Sequence, residues 1–426
     1  MDASLLVAIF LVLMLLGVPL ATALGTAGLV VLGLFDYGYQ MVGVNFISSI
    51  ASFPLLAIPF FILAGMILKE AGLARIVSEF FEALLGDMRG GLALVAVATC
   101  VAWGALSGSG PATTAAVGLI LVSPMVRQGY RREFAAALVA NASDLSIVIP
   151  PSIAFIIYGN ITGTSVAALF LGGIIPGILT AAALMAVAGI ISRRRGYGRG
   201  NVRRRYPLGQ LFRRAFWALL TPVIILGGIY SGIFTPTEAA VVAVVYSIAI
   251  STVIYRSLTW NSLFRALVYS STTTGAIMFL VSFAGIFSWA ASTTGLIDAA
   301  SHMIVNLSSN RIVLILLVDL LLLILGMFLD AISISYILMP VLIPVLAAFH
   351  IDPVWYGVIF VSALAIGQAT PPVGVNLYTA AALVNTEVDP IAREAIPFVL
   401  GAAVVLIVIS LFPQLSLFIP RLAGLH

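Results

Sequence analysis

Long runs of apolar residues follow one another along the chain, separated by short groups of polar or charged residues. Three of these runs, Leu5 to Phe35, Phe46 to Leu68 and Ala395 to Phe412, exceed or approach the ~20 residues with which an α-helix crosses a bilayer. Helices that are apolar on all sides lie in lipid or in a large core. The pattern therefore predicts an all-α polytopic membrane protein. Its predicted spans are 4–34, 46–68, 133–158, 166–192, 216–234, 238–255, 266–290, 354–380 and 395–418.

Two further apolar stretches, 91–126 and 311–349, are too long for one span, and helix-breaking residues interrupt each near its middle. Divided into pairs of spans, they would give halves of ~15–18 residues, which is short for a hydrocarbon core of ~30 Å. We therefore predict two re-entrant helical hairpins, each of which enters and leaves on one side of the membrane.

The second half of the chain repeats features of the first half. The sequence SIVIPP at 146–151 is echoed by GQATPP at 367–372, and Ile175-Pro176 and Gly72-Leu73 recur as Ile396-Pro397 and Gly295-Leu296. Inverted repeats with broken helices at matched positions indicate the central site of a transporter. The predicted organisation is a first inverted repeat at 1–215 (hairpin 91–126, broken helix 133–158), a linking span at 216–237, and a second inverted repeat at 238–426 (hairpin 311–349, broken helix 354–380).

Composition agrees with a membrane protein and argues against enzymes. Hydrophobic residues make up 62% of the chain and charged residues 8%, against roughly 25% charged in soluble domains. One cysteine excludes a disulfide framework, and the three histidines lie outside the apolar spans. The chain has one lysine, Lys69, and no GxxxxGK[ST] phosphate loop, so we expect no ATP hydrolysis. Ser107 and Ser109 have no histidine to act as a base, so we predict that the protein is not an enzyme.

The basic residues are concentrated in one segment, 193–214, which contains no acidic residue. The positive-inside rule makes this loop cytoplasmic and places the segment 293–311 and the C-terminus in the periplasm. The formal charge of +4 therefore reflects topology, and we expect the lipid bilayer, with no nucleic acid, as the surrounding partner. The nine basic residues of the segment are Arg193, Arg194, Arg195, Arg199, Arg203, Arg204, Arg205, Arg213 and Arg214.

The tip of the first hairpin combines glycines with hydroxyl side chains. Pro111 suits the first position of the returning helix, with Ser109 or Gly110 as its cap. The N–H groups of that helix start favour an anion, and the carbonyls that end the arriving helix favour a cation. A tight turn would explain Gly108, Gly110 and Pro111 but not the hydroxyls of Ser107, Ser109 and Thr113.

The tip of the second hairpin carries an aspartate at membrane depth. Gly326 can end one helix there, and Asp330 can cap the next helix. An intramembrane carboxylate is costly and is a functional candidate by default, so a cap role and a binding role both stay open. Asp319 lies within an apolar helix and has no assigned role.

Paired prolines predict the two helix breaks. Proline lacks an N–H and clashes with the carbonyl four residues earlier, so Pro150-Pro151 should free the carbonyls of Ser146 and Ile147, and Pro371-Pro372 those of Gly367 and Gln368. Such unwound backbone inside a membrane is tolerated when it is buried in protein or lines a cavity. Free carbonyls with nearby hydroxyls suit a hard cation, whereas a simple packing kink is the competing explanation.

Three groups of candidate site residues follow. The first cation site comprises Ser107, Ser109, Asn141, Asp144, Ser146 and Pro150. The second cation site comprises Gly326, Asp330, Gly367, Gln368, Thr370 and Pro371. The candidate substrate-binding residues are Ser107, Gly108, Ser109, Gly110, Pro111, Thr113, Asp330, Ser333 and Asn376.

The sequence FTPTEAA at 234–240, the SGSGPAT tip at 107–113 and GQATPP at 367–372 together resemble the large membrane (M) subunit of TRAP transporters, the tripartite ATP-independent periplasmic family. The resemblance covers essentially the whole chain. It implies an elevator-type ion transporter fold in the bacterial inner membrane. It also implies symport driven by Na⁺ without an organic cofactor, and an organic acid substrate such as a C4-dicarboxylate or sialic acid.

Two protein partners are implied by the same resemblance. One is a small four-span membrane (Q) subunit, which we expect as a separate chain because this chain begins at the first span typical of M subunits. The other is a periplasmic substrate-binding (P) protein. The alternatives are a stand-alone ion-coupled carboxylate transporter that needs no binding protein and, with less support, an ion channel.

Overall fold

The structure, a computed structural model, describes residues 2–198 and 207–425, and the regular elements in these ranges are helices. Seven helices in the described part are long and apolar enough to cross a membrane, or eight if the bent pair Arg132–Val148 and Ile153–Thr162 is counted as one span. The prediction of an all-α, multi-pass membrane protein is therefore confirmed.

The first half of the chain contains scaffold helices, a hairpin and a broken helix. The scaffold and connecting helices are α1 Asp2–Leu15, α2 Leu20–Leu34, α3 Val42–Ser48, α4 Ala57–Glu70 and α5 Leu73–Leu85. The hairpin is α6 Gly91–Ser107 with α7 Gly110–Arg127, the broken helix is α8 Arg132–Ala142, α9 Leu145–Val148 and α10 Ile153–Thr162, and α11 Val166–Arg195 follows.

The second half has the same order of elements. Its first helices are α12 Leu208–Tyr230, α13 Pro236–Ala249, α14 Trp260–Thr293 and α15 Leu296–Val305. The hairpin is α16 Arg311–Gly326 with α17 Ala331–Ala348, the broken helix is α18 Pro353–Gln368 with α19 Val375–Val384, and α20 Val388–Leu411 and α21 Gln414–Leu422 end the described chain.

The two halves pack as inverted copies. Helix α2 packs against α14, and α4 packs against α13. In each half the first helix of the hairpin packs against the first part of the broken helix of the same half. The second helix of each hairpin packs against the last part of the broken helix of the other half, so that α7 contacts α19 and α17 contacts α10. The short helices α5 and α15 both follow a glycine with left-handed φ, Gly72 (+75°) and Gly295 (+72°). The matched sequence motifs therefore occupy matched structural positions.

The predicted span at 4–34 is wrong. The chain turns back at residues 16–19, between α1 and α2. Asp2, which begins α1, accepts a hydrogen bond from the hydroxyl of Tyr37, just beyond α2, at 2.9 Å. A continuous helix of 31 residues would separate these ends by about 46 Å. Residues 2–34 therefore form an antiparallel pair, which we call the N-terminal helix pair.

Three other boundaries differ from the sequence prediction. The span expected at 46–68 begins at Phe53, after the separate helix α3. The linking span expected at 216–237 is α12, Leu208–Tyr230, because Pro236 starts a new helix. The span expected at 395–418 ends at Leu411, and α21 follows it.

The basic segment 193–214 is only partly a loop. Arg193, Arg194 and Arg195 form the last turn of α11, and Arg213 and Arg214 lie within α12. The remaining four, Arg199, Arg203, Arg204 and Arg205, lie outside the described residues.

A cluster of charges joins the two copies at the end of α11. Glu394 of α20 is largely buried, and its carboxylate contacts Arg195 at 2.6 Å and Arg131, before α8, at 3.4 Å. Because one buried carboxylate holds two arginines from the other copy, the cluster fixes α11 and α8 against α20.

Candidate functional site

The tip of the first hairpin rests on the first helix break. Helix α6 ends at Gly108, whose φ is +59°, and a Cβ added there would lie 3.2 Å from the carbonyl oxygen of Pro151. Ser109 occupies the cap position of α7, although its side chain makes no capping hydrogen bond, and Pro111 is the second helical residue. The prediction that Pro111 takes the first position is therefore wrong by one residue, because Gly110 already has helical geometry.

The hydroxyls of this tip differ in how they are paired. Ser107 Oγ lies 2.7 Å from Thr113 Oγ1, and the N–H of Ser109 donates to Ser107 Oγ at 3.5 Å. Thr113 is fully buried. Ser107 and Thr113 therefore satisfy each other, whereas the side chain of Ser109 is available to a ligand.

The tip of the second hairpin is organised by Asp330. Its Oδ1 accepts from the N–H groups of Ile332 (3.0 Å) and Ser333 (3.1 Å), and its Oδ2 accepts from the Ser333 hydroxyl. The cap role that the sequence left open is therefore observed. Asp330 also lines the large cavity described below, so a binding role is compatible with the cap.

Both helix breaks lie at the paired prolines, where the peptide bonds Pro150-Pro151 and Pro371-Pro372 are cis. Helices α8–α9 and α10 are bent by 41° across the first break. Two carbonyls that we expected to be free have donors: Ile147 accepts from the Ser152 hydroxyl, and Gly367 accepts from the Thr370 N–H at 3.0 Å. The prediction was wrong for these two because a side-chain hydroxyl and a tight turn replace the missing helical donors.

Close contacts between backbones explain several candidate residues. A Cβ on Gly104 would lie 2.6 Å from the Cα of Ser146, and a Cβ on Gly367 would lie 2.6 Å from the Cα of Gly326. These pairs stand at matching positions, where α6 crosses α9 and α16 crosses α18. Where α16 crosses α18, Gly326 and Gly367 let the two helices approach closely. Beyond the second break, the N–H of Gly374 donates to the Met327 carbonyl at 2.8 Å.

A hydrogen bond connects the two broken helices directly. Asn376 Nδ2 donates to Asp144 Oδ1 at 2.7 Å, and both residues are buried. A Cβ on Gly110 would lie 2.8 Å from Asn376 Nδ2, so this amide also lies against the first turn of α7. Sequence analysis had assigned Asp144 to a cation site and Asn376 to the substrate, whereas the structure brings them into one contact.

The remaining candidates are distributed over three places. Asn141 and Asp144 line a small separate cavity of about 10 Å³ together with Thr180 and Ser362. The hydroxyl of Thr370 donates back to the Ile366 carbonyl at 2.6 Å, and that of Ser146 donates to the Ser143 carbonyl at 2.6 Å. Pro150 and Pro371 form the breaks themselves. Each predicted cation set is therefore divided between the large cavity and nearby packing positions.

One large cavity, of about 350 Å³, lies where all four features meet. The first tip contributes Ser107–Ala112, and the second contributes Asp330–Ile332. Residues beside both breaks also line it, Ile147 and Ile153 at the first and Gln368 and Val375 at the second. Both hairpin tips and both helix breaks therefore converge on this cavity.

Sequence reasoning missed the opposite wall of this cavity. Lys69 and Gly65 of α4 and Tyr269 and Thr273 of α14 line it. The signal was present in part, because Gly65 and Lys69 are four residues apart and so share one face of a helix. The contact between α4 and the hairpin tip could not be read from the sequence.

The FTPTEAA sequence is a helix start. The Thr235 hydroxyl accepts from the Glu238 N–H at 3.3 Å, and Glu238 Oε2 accepts from the Thr235 N–H at 2.8 Å, which is a capping box. The Thr237 hydroxyl donates to the Phe53 carbonyl at 3.2 Å and so joins α13 to the start of the α4 span.

Apolar spans, two hairpins and two broken helices around one cavity define a class, the multi-pass transporters built from inverted repeats. The family follows from comparison with known sequences. Residues 7–415 match the DctM component of the tripartite ATP-independent periplasmic transporters, and the chain belongs to this family.

Similar proteins carry names of TRAP transporter permeases. The chain is 38% identical over 405 residues to the C4-dicarboxylate large permease DctM of Pseudomonas aeruginosa, with 95% of each chain covered. It is 38% identical to the isethionate permease DctMQ of Oleidesulfovibrio alaskensis, covering 96% of this chain and 65% of that protein. It is 34% identical to the sialic acid permease SiaT of Haemophilus influenzae, and the match covers 97% of this chain and 67% of that protein. The chain therefore spans about two thirds of DctMQ and SiaT and nearly all of DctM.

Among solved structures, the YdaH transporter of Alcanivorax borkumensis is similar, with a TM-score of 0.65 over 89% of each chain and 14% sequence identity. At this identity the likeness shows the fold alone.

Proposed function

We propose that the chain is the large membrane subunit of a sodium-coupled symporter that imports an organic acid anion across the bacterial inner membrane. The observation that supports this most strongly is the single cavity at which both hairpin tips and both helix breaks meet. Discontinuous helices that meet at one level are typical of substrate and ion sites in secondary transporters.

The cavity offers groups for both an anion and a cation. The first turn of α7 lines it at Gly110–Ala112, and a helix N-terminus favours a carboxylate. Ser109, Asp330 and Gln368 provide oxygen atoms suited to Na⁺. A bound carboxylate and a bound cation attract each other in a poorly solvated cavity, so each strengthens the binding of the other. This mutual strengthening would couple transport to sodium.

The packing also suggests which parts move. The hairpins and broken helices interlock across the two copies, whereas α2, α4, α13 and α14 pack on one another. We propose that the interlocked group carries the substrate as an elevator past these four helices, which act as the scaffold. A small membrane subunit and a periplasmic binding protein are proposed partners, supported by the tripartite family to which the chain belongs.

Uptake into proteoliposomes tests the proposal. The chain is reconstituted with its co-expressed small subunit and supplied with labelled succinate, N-acetylneuraminate or isethionate, with and without the binding protein. We expect uptake of one acid under an inward sodium gradient, with a Hill coefficient for Na⁺ above one, and none under potassium. Full uptake without the binding protein would instead support a stand-alone transporter, and conductance without saturable uptake would support a channel.

A further inference from the structure

The only lysine of the sequence lies on the wall of the large cavity that faces the first hairpin tip. Lys69 is in the last turn of α4 and lines the cavity. One turn earlier, α4 touches the tip, because a Cβ on Gly65 would lie 3.0 Å from the carbonyl oxygen of Leu106 and 3.2 Å from the Cα of Ser107. Residues four apart on a helix share a face, about 5–6 Å from each other. Lys69 therefore lies about one helical turn from the tip.

The Lys69 ammonium has an aromatic neighbour but no carboxylate partner within salt-bridge distance in the described ranges. Its Nζ lies 5.8 Å from the ring centroid of Tyr269 on α14, a distance at which a cation and a ring attract. The adjacent carboxylate of Glu70 is instead bound by Arg265 at 2.8 and 2.9 Å. The ammonium thus lies at the cavity wall beside an aromatic ring, and no carboxylate of the described residues forms a salt bridge with it.

The other charged residue that lines the cavity in the described chain, Asp330, makes no salt bridge with Lys69. Asp330 uses both carboxylate oxygens at the start of its own helix, through Ile332 and Ser333. An ammonium that lines a mostly apolar cavity can form a charge-assisted hydrogen bond with an anion that enters the cavity. The first turn of α7 provides a separate anion-favouring position on the hairpin side of the same cavity.

We propose that Lys69 binds a second anionic group of the substrate, so that the cavity accepts a dianionic acid of the C4-dicarboxylate class. One carboxylate lies at the first turn of α7, and the other pairs with the Lys69 ammonium. The inference rests on the proposed function and adds to it the class of substrate and a specificity residue on the scaffold side.

Equilibrium binding in sodium to the purified transporter, with its co-purifying small subunit, separates the second carboxylate from the first. The probes are succinate and succinamate, which have the same length but carry two charges and one. The variants are Lys69→Gln, which removes the charge, and Lys69→Arg, which keeps it. Arg75→Gln is the matched control, because it removes a positive charge near the same end of α4 from an exposed side chain on α5.

We expect the wild type to bind succinate more tightly than succinamate. Lys69→Gln should weaken succinate binding by about 10- to 150-fold, the range for losing a hydrogen bond to a charged group. Its effect on succinamate binding should be clearly smaller, because succinamate has no second carboxylate to pair with the ammonium. Lys69→Arg should restore much of the succinate affinity, and Arg75→Gln should bind like the wild type.

Four results would overturn the inference. If the Lys69→Gln protein still binds sodium and its affinity for succinate is unchanged, Lys69 only anchors α4 at the membrane surface. Equal losses for both probes would mean that Lys69 does not recognise the second carboxylate. Tight binding of N-acetylneuraminate without succinate by the wild type would refute the dianionic class but retain the proposed function. Failure of the wild type to bind any acid in sodium would contradict the proposed function as well.

Discussion

The polar residues of the two hairpin tips have different roles at the scale of single atoms. At the second tip Asp330 combines a cap with a place in the cavity wall. At the first tip Ser107 is paired with Thr113, whereas Ser109 makes no capping hydrogen bond. Substitutions can therefore separate the folding role of each tip from its proposed role in ion binding.

Asp330→Asn should retain the cap and lose the charge. An asparagine oxygen can still accept from the N–H groups of Ile332 and Ser333, so we expect thermal stability near that of the wild type. Sodium affinity should fall by about 10- to 150-fold. Asp330→Ala should lose both the cap, at about 0.5–2 kcal/mol, and the ion. Sodium titration of uptake and thermal unfolding measure the two effects, and wild-type sodium dependence in Asp330→Asn would leave Asp330 with the cap role alone.

Ser107→Ala and Ser109→Ala should both weaken sodium-dependent uptake, because each removes a hydroxyl from the cavity wall. They should differ in stability. Ser107→Ala leaves the buried Thr113 hydroxyl without its partner, at a cost of about 1–3 kcal/mol, whereas Ser109→Ala breaks no side-chain cap. Ser107→Thr, which keeps a hydroxyl, serves as the control. Unchanged sodium dependence in both alanine variants would reduce the first tip to a turn.

Sequence reasoning at this scale found residue types but not their pairing. Hydroxyls, glycines and a carboxylate at helix breaks were recognisable, and Ser107, Ser109, Asp330 and Gln368 do line the cavity. The contact between Asp144 and Asn376 joins residues that are 232 positions apart. No local spacing encodes such a contact, because it depends on how the two inverted copies interlock.

At the scale of helices, single glycines set how closely the hairpins approach the broken helices: Gly104 lies against Ser146, and Gly367 lies against Gly326. Gly367→Ala and Gly104→Ala would place a Cβ 2.6 Å from a backbone Cα. We expect each substitution to destabilise the protein by about 1–3 kcal/mol, as overpacked cores do. Gly275→Ala in α14, where the added Cβ meets no atom within 4 Å, should be neutral or stabilising. Thermal unfolding in detergent compares the stabilities of the three variants. Equal stability of all three would show that the helices can move apart to accept the added Cβ, and would contradict the prediction.

Helices whose ends are marked by glycine or proline were predicted well. Glycine and proline mark both hairpin tips and both breaks, and these elements lie within a few residues of their predicted positions. The run at 4–34 predicts one span because nearly all of it is apolar. The length of the run argues against a single span, because 31 residues of helix measure about 46 Å and the hydrocarbon core is only ~30 Å thick. The turn at Gly17-Val18-Pro19 divides the run into two shorter helices.

At the scale of the whole molecule, the N-terminal helix pair changes the expected topology. With the segment 193–214 in the cytoplasm, one span at 4–34 would place Ser4 inside, whereas the pair places it outside, near Tyr37. Cysteines at Ser4, Gln210 and Ser309, in a Cys100→Ala background, test this by labelling from one side of right-side-out vesicles. We expect external labelling at positions 4 and 309 and none at 210. Protection of position 4 with labelling of 309 would restore the single span.

The same N-terminal pair bears on how such a chain could have arisen. Helices α1 and α2, of 14 and 15 residues, are shorter than the helices counted above as spans. If they cross as α12 and α13 do, the first described copy has five crossings (α1, α2, α4, the first broken helix and α11) and the second has five (α12, α13, α14, the second broken helix and α20). Helix α12 packs on α13 as α1 packs on α2. A segment with an odd number of crossings ends on the side opposite its start, so a tandem duplication of its gene yields an upside-down second copy without any added linker. On this count α12, which the sequence predicts as a linking span, is the first helix of the second copy, and one duplication event accounts for the symmetry around the cavity.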